Sequence, residues 1–247
     1  MLTGLNAVNA AQPTDVSREA DPNSVYLTWV DLDQSEAAIA EARPHLSLDE
    51  CERADRYHRL VHRNRFMIAR SNLRRTLGSF LQVPAEEIAF VSGPNGKPAL
   101  NRQFPDLRFN LAHSESMAVI AVAFGRDVGV DVEYIRPNVQ FLEIAQRMFT
   151  PGECAQIQAL TGDEIMHAFY RCWTRKEAYV KATGAGLTVA LDSFEVPVTA
   201  ESAPLPVALH DSGLPTATLT DISPNNEFAA ALAVLGPNEP VQLLIQS

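Results

Sequence analysis

The longest apolar runs, Met117–Phe124 and Phe228–Leu235, have the length of buried strands and fall far short of the roughly 20 residues needed to span a bilayer. The pattern predicts strands over 25–32, 87–92, 107–113, 117–124, 128–135, 192–198, 216–221 and 227–235. Helices are predicted over 35–43, 48–57, 62–81, 139–148, 151–160 and 163–183. Pro84 and the turn Gly93-Pro-Asn-Gly96 punctuate the first half, and Gly184-Ala-Gly186 is expected to end the last long helix through a left-handed residue. The Pro- and Ser-containing stretch 199–215 reads as loop. Residues 1–24, with no basic start before an apolar core, read as a loose arm rather than a signal peptide.

Shifting the chain by 103 residues brings like over like. Val25–Leu32 lies over Val128–Ile135, Leu48-Asp-Glu-Cys51 over Pro151-Gly-Glu-Cys154, and Phe66 over Phe169. The expected class is therefore α+β, with two similar halves of strand, helix, long helix and strands. The boundaries are 25–125 for the N-terminal half and 126–247 for the C-terminal half.

Composition narrows the possible chemistry. The 247 residues are 46% hydrophobic, enough to fold without covalent staples. Cys51, Cys154 and Cys172 are an odd number at spacings that suit neither a disulfide framework nor a zinc site, and read as reduced, structural thiols of a cytoplasmic protein. A formal charge of −10 argues against a nucleic-acid binder. That average hides eight arginines (53, 56, 59, 63, 65, 70, 74 and 75) with the single acid Asp55 between Arg53 and Arg75. Such a run is either a solvated helix face or, given guanidinium geometry and the lack of lysine, a phosphate-binding surface.

Within 128–135 the strand period puts Val128, Val130, Val132 and Tyr134 on one face and Gly129, Asp131 and Glu133 on the other. Two carboxylates then project together, roughly 6–7 Å apart at Cα. Such a pair fits either the wet face of an edge strand or oxygen ligation of Mg²⁺, with Mn²⁺ as an alternative. In 173–181, Trp173, Glu177 and Lys181 share a helix face with Lys176 adjacent, which fits a plain i,i+4 ion pair or a third carboxylate beside a phosphate-binding cation. At the 103 offset Glu177 overlies Arg74 and Asp131 overlies Thr28, so one half carries acids where the other does not. The expectation is one composite site, with a metal wall and an anion wall. His113, in Phe109-Asn-Leu-Ala-His-Ser114, is either a core histidine or an oxygen-directed donor, and Gly96-Lys-Pro98 leaves Lys97 exposed on a turn.

Together Gly96–Pro98, Phe109–Ser114, Gly129–Glu133 and Trp173–Leu187 resemble the Sfp-type 4′-phosphopantetheinyl transferases, over about Val25 to Leu191. The resemblance implies a pseudo-twofold, pseudodimeric arrangement with the active site in the cleft between the halves. It implies an enzyme that moves the phosphopantetheine of coenzyme A to a serine of an apo acyl or peptidyl carrier protein. Asp131, Glu133 and Glu177 would hold Mg²⁺; Glu177, Lys181 and Asp131 would be catalytic. Arg53, Arg65, Lys97, Pro98, His113 and Lys176 would hold coenzyme A. The chain departs from the family pattern at Glu50, where some members carry a basic residue, and at Ala112, before the histidine. Arg136, Phe141, Met148 and Phe149 are the candidate carrier-docking residues, with ordinary amphipathic packing as the alternative. No nucleic-acid or membrane partner is expected, and the protein is expected to be a monomer. Another Mg²⁺-dependent phosphotransferase or hydrolase acting on a nucleotide, or a non-catalytic coenzyme A-binding protein, are the competing readings.

Overall fold

The computed structural model describes residues 23–101, 104, 106–200, 205–206, 208–209, 213–236 and 241–246. The expected N-terminal arm lies outside these up to residue 22, as does part of the predicted loop 199–215.

The first part of the chain forms β1 (Ser24–Asp31), α1 (Glu36–Ala42), α2 (Leu48–Asp55), α3 (Leu60–Leu81), β2 (Phe90–Ser92), β3 (Pro98–Leu100), β4 (Leu107–Ser114) and β5 (Met117–Phe124). The second forms β6 (Val128–Tyr134), α4 (Phe141–Met148), α5 (Pro151–Gln158), α6 (Asp163–Thr183), β7 (Phe194–Glu195), β8 (Leu205–Pro206), β9 (Ala208–Leu209), β10 (Ala217–Asp221), β11 (Phe228–Leu235) and β12 (Gln242–Gln246). The fold is α+β, as expected. One four-stranded sheet runs β12-β1-β5-β4 and another β6-β11-β10-β8. Pairing is antiparallel throughout both except for β12, which runs parallel to β1. No strand was expected there. β12 also crosses the expected boundary, because the C-terminal half contributes its last strand to the other half's sheet.

Four layers result. The sheets pack face to face, with Val25, Leu27, Val119 and Ala121 meeting Val128, Val130, Val132, Ala230 and Leu232. The outer face of the first sheet (Val30, Ile120, Val122) is covered by Leu73 and Leu77 of α3. The outer face of the second (Ala229, Ala231, Ala233) is covered by Phe169 and Tyr179 of α6. This explains why β5 and β11 are apolar at every position: both of their faces are buried. The small alanines on β11 let α6 lie close.

The two short helices before the long ones are built alike. Ser47 and Thr150 each open a capping box, closed by Glu50 and Glu153 respectively, so the chain turns into α2 and α5 with its first N–H groups satisfied. Both glutamates are buried, at 5% and 0% exposure, and each is met by cations from the long helix that follows.

Candidate active site

The site begins with how closely α6 lies on β6. A Cβ added at Gly129 would fall 2.1 Å from the Ala178 carbonyl oxygen and 2.3 Å from the Ala182 nitrogen, so only glycine permits the approach. Because strand side chains alternate, the same face then carries Asp131 and Glu133 against the helix turn bearing Glu177 and Lys181. Acids in the first turn of α6 (Asp163, Glu164) and a left-handed cap at Gly184 (φ 67°) set its two ends.

Lys181 pairs with Asp131 across the layers, Nζ to Oδ1 at 2.5 Å, not with Glu177 four residues before it. The other oxygen, Asp131 Oδ2, is buried with no hydrogen-bond partner. Burial, opposed by Lys181 and reinforced by the nearby charges of Glu133 and Glu177, pushes the Asp131 carboxyl up to about 7. Among the described residues no group of three or more His, Cys, Asp or Glu stands so placed that it could hold a metal ion without side-chain movement. By donor type rather than by present spacing, the oxygens here are those a hard divalent cation takes. Asp131, Glu133 and Glu177 bear on one another with one ammonium, Lys181, paired among them, and one buried oxygen lacks a partner.

The facing wall comes from β4. Asn110 Oδ1 accepts from the Val130 N–H at 2.9 Å, binding the edge of the first sheet to β6. Ser114 Oγ donates to Glu133 Oε2 at 2.8 Å and accepts from the Tyr134 N–H at 3.1 Å. Neither residue was singled out from the sequence, although strand alternation alone separates Asn110, Ala112 and Ser114 from His113. His113 lies on the opposite, α3-facing side and its residue surface is exposed. Desolvation first, then the charges of Lys181, Arg53 and Arg65, push its pKa below the usual histidine value. The imidazole is thus neutral at pH 7 and surrounded by cations.

Lys97 differs from expectation. It is half-buried, its ammonium donating to the carbonyls of Val128 (3.1 Å) and Ala182 (3.3 Å), so it ties the start of β6 to the end of α6. Burial, only partly countered by Asp127, lowers its pKa. Pro98 beside it is exposed at the start of β3.

Lys176 does not join Asp131, Glu133 and Glu177. It is fully buried, with Nζ 2.8 Å from Glu153 and 2.6 Å from the carbonyls of both Leu191 and Phe194. The coenzyme-binding role expected of it is therefore corrected to an internal ion pair, since every N–H of the ammonium is spent inside the fold.

The arginine run also divides. Arg70 and Arg74 converge on the buried Glu50, with Arg74 Nε 2.6 Å from its carboxylate. They neutralise this acid and do not form an anion wall; Glu50, the departure noted in the sequence, is their counter-ion. Arg65 is held bidentately by Asp33 (2.7 and 2.9 Å) and by Glu115 (3.0 Å), while Glu115 also meets Arg136 from beyond β6. Arg53 is exposed, stacked on Phe66 at 5.1 Å, and has no acidic partner among the described residues. Of the candidate docking residues, Met148 is exposed whereas Phe149 is buried against Phe169 and Trp173, which removes it from any surface role.

Comparison with known proteins identifies the family. Residues 127–233 match the family model of the 4′-phosphopantetheinyl transferase superfamily, and residues 32–124 match that of 4′-phosphopantetheinyl transferase, N-terminal. The chain is 37% identical over 217 residues to the 4′-phosphopantetheinyl transferase HetI of Nostoc sp., covering 87% of this chain and 89% of that protein. It is 27% identical over 210 residues to 4′-phosphopantetheinyl transferase Sfp of Bacillus subtilis, covering 85% and 92%. Among solved structures, a holo-(acyl-carrier-protein) synthase of Bacillus anthracis in complex with CoA (3′,5′-ADP) overlays on 44% of this chain and 94% of its own. The identity there is 23% and the TM-score 0.38, too slight a likeness to carry an argument. On the near full-length match to HetI, the chain belongs to the 4′-phosphopantetheinyl transferase superfamily.

Proposed function

We propose that this enzyme transfers the 4′-phosphopantetheine arm of coenzyme A to a serine hydroxyl of an apo acyl or peptidyl carrier protein, releasing 3′,5′-ADP. The observation that carries the proposal is the partnerless, buried Asp131 Oδ2 beside Glu133, Glu177 and Lys181. Asp131, Glu133 and Glu177 would hold Mg²⁺, which when bound supplies charge neutralisation for the pyrophosphate.

The protein's own groups account for the rest. The serine oxygen bonds to the β-phosphorus as the bond from that phosphorus to the bridging oxygen breaks, and the hydroxyl proton passes to Glu177, directly or through a water. Lys181, the more exposed member of its ion pair, donates to the departing phosphate. Neutral His113, together with Arg53, holds the 3′-phosphate. Arg65 is pre-oriented by Asp33 and Glu115 and contributes direction more than net charge, because its own charge is already balanced. Lys97 has one N–H beyond its two carbonyl bonds for a phosphate oxygen.

The pseudo-twofold relation between the halves belongs to this proposal. It is supported by the 103-residue offset, which superposes the starts of α2 on α5 and α3 on α6, and by the shared strand orders β1-β5-β4 and β6-β11-β10. A monomer accords with one chain supplying both walls, and action in the cytoplasm accords with three free cysteines. For the carrier, α4 offers Leu142 and Met148, both exposed.

Glu177→Gln should lower transfer by roughly 10²–10⁴-fold with little change in Tm. Near-wild-type labelling of an apo-carrier by this variant would remove Glu177 from the mechanism. Product analysis also separates the nucleotide-hydrolase alternative, which would release phosphate without modifying any carrier.

A further inference from the structure

We propose that Lys181 is the protein's own occupant of the carboxylate cluster: it holds Asp131 while no metal is bound and yields it when a divalent cation enters. This rests on the reading of Asp131, Glu133 and Glu177 as the metal-holding set.

The pair is asymmetric. Asp131 has 7% side-chain exposure on a strand bonded on one side to β11 and on the other to Asn110, so it cannot follow a moving partner. Lys181 has 32% exposure and a flexible four-carbon stem that ends next to water. Only the lysine can withdraw cheaply. It has also passed over Glu177, its favourable neighbour at i−4, for an acid on another element. The contact uses Oδ1 alone and leaves Oδ2 with no donor, so the carboxylate is half neutralised and half open.

A divalent cation drawn to the same carboxylates meets the ammonium as a like charge at short range. Lys181 then turns toward the cleft, where a substrate phosphate replaces Asp131 as its partner. The lysine thus serves twice, first as a stand-in cation and then as a phosphate donor. It also keeps the empty cluster from carrying its full negative charge, and it sets cation affinity lower than the carboxylates alone would give.

The test uses the full chain, without coenzyme A. Mn²⁺ binding is titrated by electron paramagnetic resonance for wild type, Lys181→Met, Lys181→Arg and Asp131→Asn, at low salt and at about 0.5 M NaCl. Metal-free Tm is measured alongside. Lys181→Met should bind Mn²⁺ about tenfold tighter at both salt concentrations, because a contact pair is not screened as a distant charge is. Its metal-free Tm should fall, and Lys181→Arg should stay near wild type. Equal or weaker binding by Lys181→Met overturns the exchange, as does a tightening that disappears at high salt, which would mark a long-range field only. If wild type and both lysine variants bind no Mn²⁺, the metal reading itself fails and the exchange falls with it. If wild type binds, Asp131→Asn does not and Lys181→Met is unchanged, the exchange alone is lost.

Discussion

Asp131 stands at a point where burial and three neighbouring charges act on one carboxyl. Its raised value means that the folded protein holds this proton more tightly than the unfolded chain does. Its contribution to stability is therefore full below the ordinary value of 3.8 and is lost as pH rises through about 7. Asp131→Asn removes that ionisation. In metal-free buffer its Tm, relative to wild type, should rise between pH 5 and pH 8; a difference independent of pH would contradict the assigned burial and coupling. Lys176 behaves differently, because its charge is spent within the core. Lys176→Met leaves Glu153 buried without a counter-ion and should cost roughly 3–5 kcal/mol. At a temperature where the variant is folded, its KM for coenzyme A should match wild type. A selective rise in that KM would instead restore Lys176 to the coenzyme site.

At the scale of elements, the seating of α6 on β6 decides whether the site exists. Gly129→Ala places a methyl against helix backbone that cannot swing aside. It should cost about 1–3 kcal/mol by overpacking, and by displacing Glu177 from Asp131 should lower transfer roughly 10²-fold. Unimpaired transfer in a folded Gly129→Ala protein would show that the register of α6 does not matter. The helices were legible from their apolar period and, for α6, from the stop at Gly184, while the capping residues Ser47 and Thr150 were signals in the sequence that went unused. The carboxylate face of β6 was legible from period two alone. β12 was not, since Gln242–Gln246 is a strand only by virtue of the open edge of β1, more than 200 residues away. Lys97 and Lys176 were misplaced for a related reason. Local pattern fixes the face of an element, but the carbonyls and carboxylates that claim an ammonium come from other elements. The arginines show the same limit, because Glu50 and Asp33 select among them only after folding.

At the scale of the molecule, the two sheets bury their inner faces against each other, and β12 joins the end of the chain to its beginning. Neither sheet has a complete core by itself, so thermal unfolding should be one cooperative transition with equal calorimetric and van't Hoff enthalpies. Two resolved transitions would mean that the halves fold independently. In the proposed site, carboxylates of β6 and α6 form one wall and His113 and Arg53 of the first part of the chain form the other. The central claim is that these walls together move phosphopantetheine. The most direct measurement is intact-mass spectrometry of an apo-carrier protein incubated with the enzyme, coenzyme A and Mg²⁺. The account predicts a gain of one phosphopantetheine mass on the carrier with wild type and none with Asp131→Ala. An unmodified carrier with wild type across a panel of acyl and peptidyl carriers, or full modification with Asp131→Ala, would contradict it.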